Sequence, residues 1–309
     1  MMTVKETTNP LFTVFTPVFN RKHTIHRVWN SLQSQTYNNF EWIVVNDGST
    51  DGIEPILEDY KKKAKFPMRI YHQKNSGKHM AFNRAVEAAL GELLVPADSD
   101  DSFVANTLET FQRQWSKYKA DSISGISVLC MDEDDRIIGD KFPKEGLSNY
   151  IEMVYKYKVK GEKWGCIKVN VMKEFRFPSV EGNFFPESYV WSQIGLKYQT
   201  VYLNIPLRKY YQDAGNQIMK MKKPSLNNLK VKATYFTWWI NHVFPVASRY
   251  MSMRDRLKQF LSMWRYSILV DKSFVQVLKE IPSIKNKNLA RITFLPSFLL
   301  FKILKWRPS

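Results

Sequence analysis

Ala97-Asp98-Ser99-Asp100-Asp101 follows directly on Glu92-Leu93-Leu94-Val95-Pro96, a strand-like run that is mostly apolar. Hard divalent cations take carboxylate oxygens, often only one or two from protein, and fill the remaining positions with phosphate and water. An Asp-x-Asp at the end of a buried strand holds such carboxylates rigidly at a sheet edge. The same triplet also makes a solvated turn or a helix N-cap. A second carboxylate, Asp47, follows Phe40-Glu41-Trp42-Ile43-Val44-Val45-Asn46. It can accept a hydrogen bond from the N3–H of uracil, with the backbone of Thr16, Pro17 and Val18 framing the base. An Asx turn before Gly48 is the alternative. Asn75-Ser76-Gly77-Lys78-His79 precedes a helical segment, where free amides and a lysine suit a diphosphate. It lacks the glycine spacing of a P-loop, and an ordinary helix start with an exposed lysine would look the same.

These residues need elements to position them. Residues 11–18 read as a buried strand ending in a proline turn. Ile25, Val28, Trp29 and Leu32 have helical spacing within 24–35. Strands are expected at 40–45, 68–72 and 92–96, and helices at 54–63 and 79–90, the latter closed by Gly91 as a C-cap. This alternation predicts an α/β fold with a mostly parallel central sheet flanked by helices. Ligands of such sheets gather beyond the carboxyl ends of strands. The polar clusters 16–20, 47–51 and 98–101 all fall at such ends. Residues 121–210 are less regular, and 226–309 read as helical and rich in aromatics.

A chain of 309 residues with 44% hydrophobic content can bury a large core, which excludes disorder of the whole. Its two cysteines, Cys130 and Cys166, show neither metal-type spacing nor a disulfide framework, and a reducing cytosolic compartment fits them. The first ten residues hold no apolar signal core. No run of about 18 apolar residues offers a spanning helix. The net charge of +17 is uneven, with twenty Lys and Arg against four Asp and Glu from Pro206 onward. The tail is therefore expected to meet a polyanion, membrane phospholipid or nucleic acid. In 231–249 and 291–307 basic residues flank aromatic, apolar stretches too short to span, a pattern of segments lying in a membrane interface. Each basic residue near an anionic surface adds about 1 kcal/mol. A helix packed on the rest of the protein, lysines in water, is the alternative.

Four stretches, in order, resemble the family 2 glycosyltransferases across residues 11–105: Thr16-Pro17-Val18-Phe19-Asn20-Arg21, Ser31-Leu32-Gln33-Ser34-Gln35-Thr36-Tyr37, Glu41-Trp42-Ile43-Val44-Val45-Asn46-Asp47-Gly48-Ser49-Thr50-Asp51, and Ala97-Asp98-Ser99-Asp100-Asp101. The resemblance implies a GT-A fold, a nucleotide-diphosphate sugar donor, a divalent metal (Mn2+ or Mg2+) and inversion at the anomeric carbon. It implies that Thr16, Asn20 and Asp47 contact the nucleoside, with Pro17 and Val18 beside them. Asp98 and Asp100 would meet ribose, sugar or metal, Asp100 being the first choice for direct ligation. Lys78, His79 and Asn83 would lie near the diphosphate or donor sugar. UDP is the family's commonest nucleotide, so a UDP-sugar is the expected donor.

An inverting transfer needs a base to deprotonate the attacking hydroxyl. Phe185-Pro186-Glu187-Ser188 resembles the segment where the family places an acidic pair; here Ser188 replaces the second acid and Glu187 alone remains. A glutamate at a helix N-terminus, favourable to the macrodipole, is the structural alternative. Glu181 and Asp213 are weaker competitors. The metal would neutralise the departing diphosphate. Trp164 and Trp191 offer flat faces to a sugar, although core packing is the commoner use of tryptophan. The stretch 210–216 resembles the point where such domains pass into a variable loop, a place for a lid.

The expected organisation is a catalytic domain over 1–215, with a nucleotide-binding half at 11–105 and an acceptor half at 106–215, and a helical extension over 216–309. The expected acceptor is a glycan or lipid-linked saccharide of cell-surface polysaccharide synthesis, capsular or exopolysaccharide in type. The expected place is cytoplasmic, peripheral at the inner face of the plasma membrane through an anionic surface. Three other readings compete. A sugar-nucleotide nucleotidyltransferase would carry a glycine-rich basic loop where Thr16-Pro17-Val18-Phe19-Asn20 stands. A nucleic-acid-binding protein would use the basic tail, although no nucleic-acid partner is expected on the leading reading. An inactive scaffold would fit the lost acidic neighbour of Glu187.

Overall fold

The computed structural model describes residues 9–179, 185–211 and 225–303. The chain forms two compact units that interleave in sequence: Met1–Ser148, Val159–Arg176 and Tyr198–Ala214 in the first, Asn149–Lys158, Phe177–Lys197 and Gly215–Ser309 in the second.

The first unit is a sheet covered by helices. Its elements are β1 (Phe12–Val18), α1 (His26–Gln33), β2 (Phe40–Asn46), α2 (Glu54–Lys63), β3 (Met68–His72), α3 (Lys78–Ala88), β4 (Leu93–Pro96), β5 (Ser102–Phe103), α4 (Thr107–Tyr118), β6 (Ile123–Met131), β7 (Gly146–Ser148), β8 (Lys163–Lys168), α5 (Val169–Glu174) and β9 (Gln199–Lys209). The strand order is β3-β2-β1-β4-β8-β6-β9-β5, with β7 paired to β9. The β3-β2-β1-β4 portion is parallel throughout, as the strand–helix alternation of 11–105 predicts. Beyond β4 the sheet is mixed. β8 runs antiparallel to both β4 and β6, β6 runs parallel to β9, and β5 and β7 run antiparallel to β9. This is the region whose sequence carries no regular alternation.

Every residue of β2 is buried, including Glu41. A buried carboxylate persists only when paired. Glu41 accepts from Thr13 Oγ1 (2.7 Å), the Leu90 amide (2.8 Å) and Arg69 Nε (3.0 Å). Gly91 does not cap α3 as the sequence suggests. The helix ends at Ala88, with Ala89 already extended at ψ 130°. A Cβ on Gly91 would stand 2.5 Å from Thr13 N, so the glycine answers to the close passage of β1. Trp164 lies in the core beside Phe103 and Phe111 and donates its indole N–H to the Pro96 carbonyl. Cys130 and Cys166 are buried free thiols.

The second unit is helical: a π-helical turn (Glu152–Lys156), α6 (Ser188–Lys197), α7 (Leu226–His242), α8 (Phe244–Ala247), α9 (Met253–Leu269), α10 (Phe274–Lys279) and α11 (Ile284–Ile303). Serines start three of these helices. Ser225, Ser252 and Ser273 each accept from the amide three residues on, and Gln276 completes a capping box on α10. Trp239, Phe244, Phe260 and Trp264 fill a core shared by α7, α8 and α9. The polar ends of its tryptophans are met: Trp239 Nε1 donates to Tyr155 Oη (3.0 Å) and Trp264 Nε1 to the Ala290 carbonyl (2.8 Å).

Candidate functional site

The carboxyl ends of β1, β2 and β4 lie side by side, and the three polar clusters of the sequence meet there. The Asp47 amide donates to Val18 O (2.8 Å), and the Ala97 amide to Phe15 O (2.7 Å). Asn20, at φ 54°, takes the left-handed conformation that asparagine tolerates. Its amide donates to Ser49 Oγ (3.0 Å), and its Oδ1 accepts from the Thr50 amide (2.8 Å). The Lys22 amide donates to Asp51 Oδ2 (2.8 Å). The loop after β1 is thereby tied to the loop after β2. Thr16 is fully buried and accepts from Trp42 Nε1 (2.9 Å); Val18 is buried and Pro17 half-buried. At this point the rim presents main chain and the Pro17 ring rather than a threonine hydroxyl.

Asp47 organises the next loop. Its Oδ1 accepts from Gln73 Nε2 (2.8 Å) and the Ser76 amide (2.9 Å), and its Oδ2 from the Gly77 amide (2.8 Å). Gly48, at φ 77°, makes room for this closure, since a Cβ there would come within 2.9 Å of Asn75 N. The arrangement sets the N-terminus of α3, which carries Lys78, His79 and Asn83. His79 is buried, and burial lowers its pKa against the pull of Asp47, which favours the neutral ring. Asn83 is half-buried one turn along the helix.

Lys78 Nζ reaches Asp98 Oδ1 at 2.8 Å, which brings the third cluster in. Asp98 Oδ2 accepts from Arg208 Nη2 at 2.8 Å. Asp101 accepts from Arg208 through both Nε (2.7 Å) and Nη2, and from the Tyr211 amide (3.2 Å). Asp100 is the most loosely held of the three. Its side chain is 22% exposed, and its nearest cation is Arg21 Nε at 3.6 Å. Arg27 donates to the Asp100 carbonyl (2.9 Å) and lies 4.0 Å over the Tyr211 ring. Three carboxylates compete for few cations, and they divide accordingly. Burial opposes ionisation of Asp98, but Lys78 and Arg208 outweigh it and hold its pKa well below the carboxylate range. Burial and Asp98 raise Asp100. Burial pushes Asp101 up to about 7; Arg208 opposes the shift, and Asp98 and Asp100 add to it.

Arg208, Arg21, Arg27 and Gln73 are the residues that reading the sequence misses. An arginine inside the apolar β9 run was the available signal for Arg208. It is 4% exposed and stands at the centre of the acidic loop.

Among the described residues no three His, Cys, Asp or Glu side chains converge as a cage for an ion. Mg2+ and Mn2+ do not require one, because they commonly take one or two carboxylates and draw the rest from phosphate and water. Asp100 fits that role, with a hard oxygen donor, partial exposure and incomplete charge compensation. Asp98 has each carboxylate oxygen already engaged by a cation.

Glu187 belongs to the second unit, exposed at the turn before α6, where its carbonyl accepts from the Val190 and Trp191 amides. Ser188 Oγ lies 2.9 Å from Tyr235 Oη. Trp191 is half-buried on α6. Glu181, Asp213 and residues 212–216 of the expected lid stretch at 210–216 lie outside the described residues.

Residues 13–174 match the family model for glycosyl transferase family 2. Over 237 residues the chain is 28% identical to TuaG of Bacillus subtilis (strain 168), whose name assigns it to teichuronic acid biosynthesis; the match covers 75% of this chain and 87% of TuaG. EpsH of the same strain, a glycosyltransferase by name, is 26% identical over 220 residues, and the chain spans 64% of its length. A crystal structure of S. aureus TarS 1-349 in complex with UDP-GlcNAc has a TM-score of 0.63 at 17% identity, covering 95% of this chain and 91% of that one. At that identity the likeness speaks for the fold, and the expected GT-A architecture with a helical C-terminal region holds.

Proposed function

The chain belongs to glycosyl transferase family 2 and is a transferase, and on that premise we propose that it moves a sugar from a UDP-sugar, with inversion, onto a glycan or lipid-linked saccharide of cell-surface polysaccharide synthesis. The observation that carries this reading is the meeting of the three polar clusters at one sheet edge, linked by Asn20–Thr50, Asp47–Gly77 and Lys78–Asp98. Asp47 has three of its roughly four acceptor positions engaged, which leaves one for the uracil N3–H. Main chain at 16–18 and Asn20 frame the nucleoside. The α3 N-terminus, Lys78, His79 and Asn83 receive the diphosphate and donor sugar. Asp100 would hold Mn2+ or Mg2+ together with the diphosphate, Asp98 lying beside it. The cation supplies charge neutralisation of the leaving group. Glu187 takes the proton of the attacking hydroxyl; its support is the family resemblance of 185–188. The acceptor class is supported by the relatives TuaG and EpsH.

The C-terminal unit is read as the part that meets an anionic membrane surface from the cytoplasmic side. Ile284, Ile292, Leu295 and Leu299 of α11 are exposed, with Lys285 and Arg291 exposed among them. No described helix is long and apolar enough to cross a membrane. The test of the reaction is a thermal-shift series with UDP-, GDP- and TDP-sugars, each with and without Mn2+. Metal-dependent stabilisation by a UDP-sugar is expected, and indifference to every nucleotide sugar would remove the reading.

A further inference from the structure

Within the second unit a cleft of about 390 Å³ opens beside α6 and α7. Four aromatic rings form a continuous wall along it. Phe185 meets Tyr189 edge-on at 5.2 Å, Tyr189 lies 4.3 Å from Trp238, and Trp238 lies 6.2 Å from Tyr235. Tyr189, Tyr235 and Trp238 are only half-buried, so they keep ring surface toward the cleft. Asn227 and Lys230 add hydrogen-bond donors to its lining, and no carboxylate lines it among the described residues.

Such a surface suits a particular chemistry. The C–H faces of a pyranose pack on aromatic rings, while its hydroxyls need polar partners at the ring edge. Lys230 is the one charged side chain among the described lining residues, and its ammonium favours a ligand that carries negative charge. Position adds a second argument. Tyr189 follows Glu187 by two residues, and the Ser188 hydroxyl lies 2.9 Å from Tyr235 Oη at the cleft wall. The segment that carries the proposed base is therefore fastened to the aromatic wall. We infer that this cleft is a saccharide-binding subsite for the acceptor, accepting a glycan with an anionic group at its Lys230 end. The inference rests on the transferase reading above and specifies the substrate of that reaction.

The test uses the full chain and two probes, a hyaluronan tetrasaccharide (anionic) and chitotetraose (neutral), followed by saturation-transfer NMR. UDP with Mn2+ is titrated in parallel. Binding of the anionic probe is expected, with affinity reduced at least tenfold by Trp238→Leu and by Tyr189→Leu. Lys230→Glu is expected to weaken the anionic probe at least fivefold and to leave the neutral one unchanged. If UDP binds and neither saccharide does, or if saccharide binding ignores all three substitutions, the inference is overturned. Cleft-dependent saccharide binding without any UDP binding would keep the cleft as a sugar site and overturn its role as acceptor subsite. Two differently placed leucine variants guard against one that merely fails to fold.

Discussion

Arg208 reaches from β9 to Asp98, its Nη2 standing 2.8 Å from Asp98 Oδ2, and the same guanidinium grips Asp101. One strand thus sets the posture of the acidic loop that follows β4. Removing the guanidinium would leave the buried Asp101 carboxyl without its donor and take from the ionised Asp98 one of its two cations. Arg208→Ala is expected to cost about 3–5 kcal/mol of stability, read as a lowered urea midpoint. Arg208→Lys should recover only part of it, because an ammonium cannot make the two-pronged contact. An unchanged midpoint in the alanine variant would show the pair to be idle.

Asp100 is the proposed oxygen donor to the cation and is partly exposed. Asp100→Ala should cost about 1 kcal/mol of stability, a typical value for a single substitution, while Mn2+-dependent binding of a UDP-sugar is lost. Urea unfolding reads the first effect, and calorimetric titration with and without the metal reads the second. Equal affinity with and without Mn2+ in the parent chain would dismiss the metal altogether.

The Asp101 pKa is pushed up to about 7 by burial, against Arg208 and with Asp98 and Asp100. An unfolded aspartate titrates near 3.9. Between those values the folded chain holds a proton that the unfolded chain has released. Stability from this group is therefore present at low pH and lost as pH rises from about 4 to about 7. Asp98 has the opposite sign, and its contribution is lost only as pH falls below the usual carboxylate range. Urea unfolding at stepped pH should show the downward slope in the parent chain and its absence in Asp101→Asn. Parallel profiles in the two proteins would refute the assignment.

Glu187→Gln preserves shape and removes the proposed base. UDP-sugar affinity is expected to stay within about twofold, whereas transfer falls by a factor on the order of 100 or more. Transfer at a near-normal rate would send the search to another carboxylate.

Ile292, Leu295 and Leu299 are exposed on α11. Replacing all three by glutamate should leave the helical core intact and abolish co-flotation with vesicles rich in anionic phospholipid. Raising the salt should weaken the parent's attachment as well. Retained flotation of the triple variant at low salt would exclude this face.

Much of the donor edge was legible because its cues are local. Apolar runs gave β1, β2 and β4, and turn residues marked where each ends. The C-terminal region was equally open to reading as helical, and α7, α9 and α10 each start at a serine. What was hidden depends on distance along the chain. Arg208 and Asp101 are 107 residues apart, and nothing near Arg208 tells which partner it turns inward to meet. The alternation rule stops at β4, so the mixed half of the sheet had no local signature. Gly91 misled for the same reason: its cause is the backbone of β1, not the end of α3. The grouping of 149–158 and 177–197 with the C-terminal helices likewise comes from contacts that no neighbouring residue announces.

Gly48 sets a boundary on any attempt to re-engineer this rim. A combinatorial library can range over Lys74, whose side chain is exposed. Codon 48 has to stay untouched, because the first carbon of any replacement would arrive 2.9 Å from a main-chain nitrogen in a conformation that disfavours it from the start. Diversity at this edge has to come from the loops around a fixed pivot.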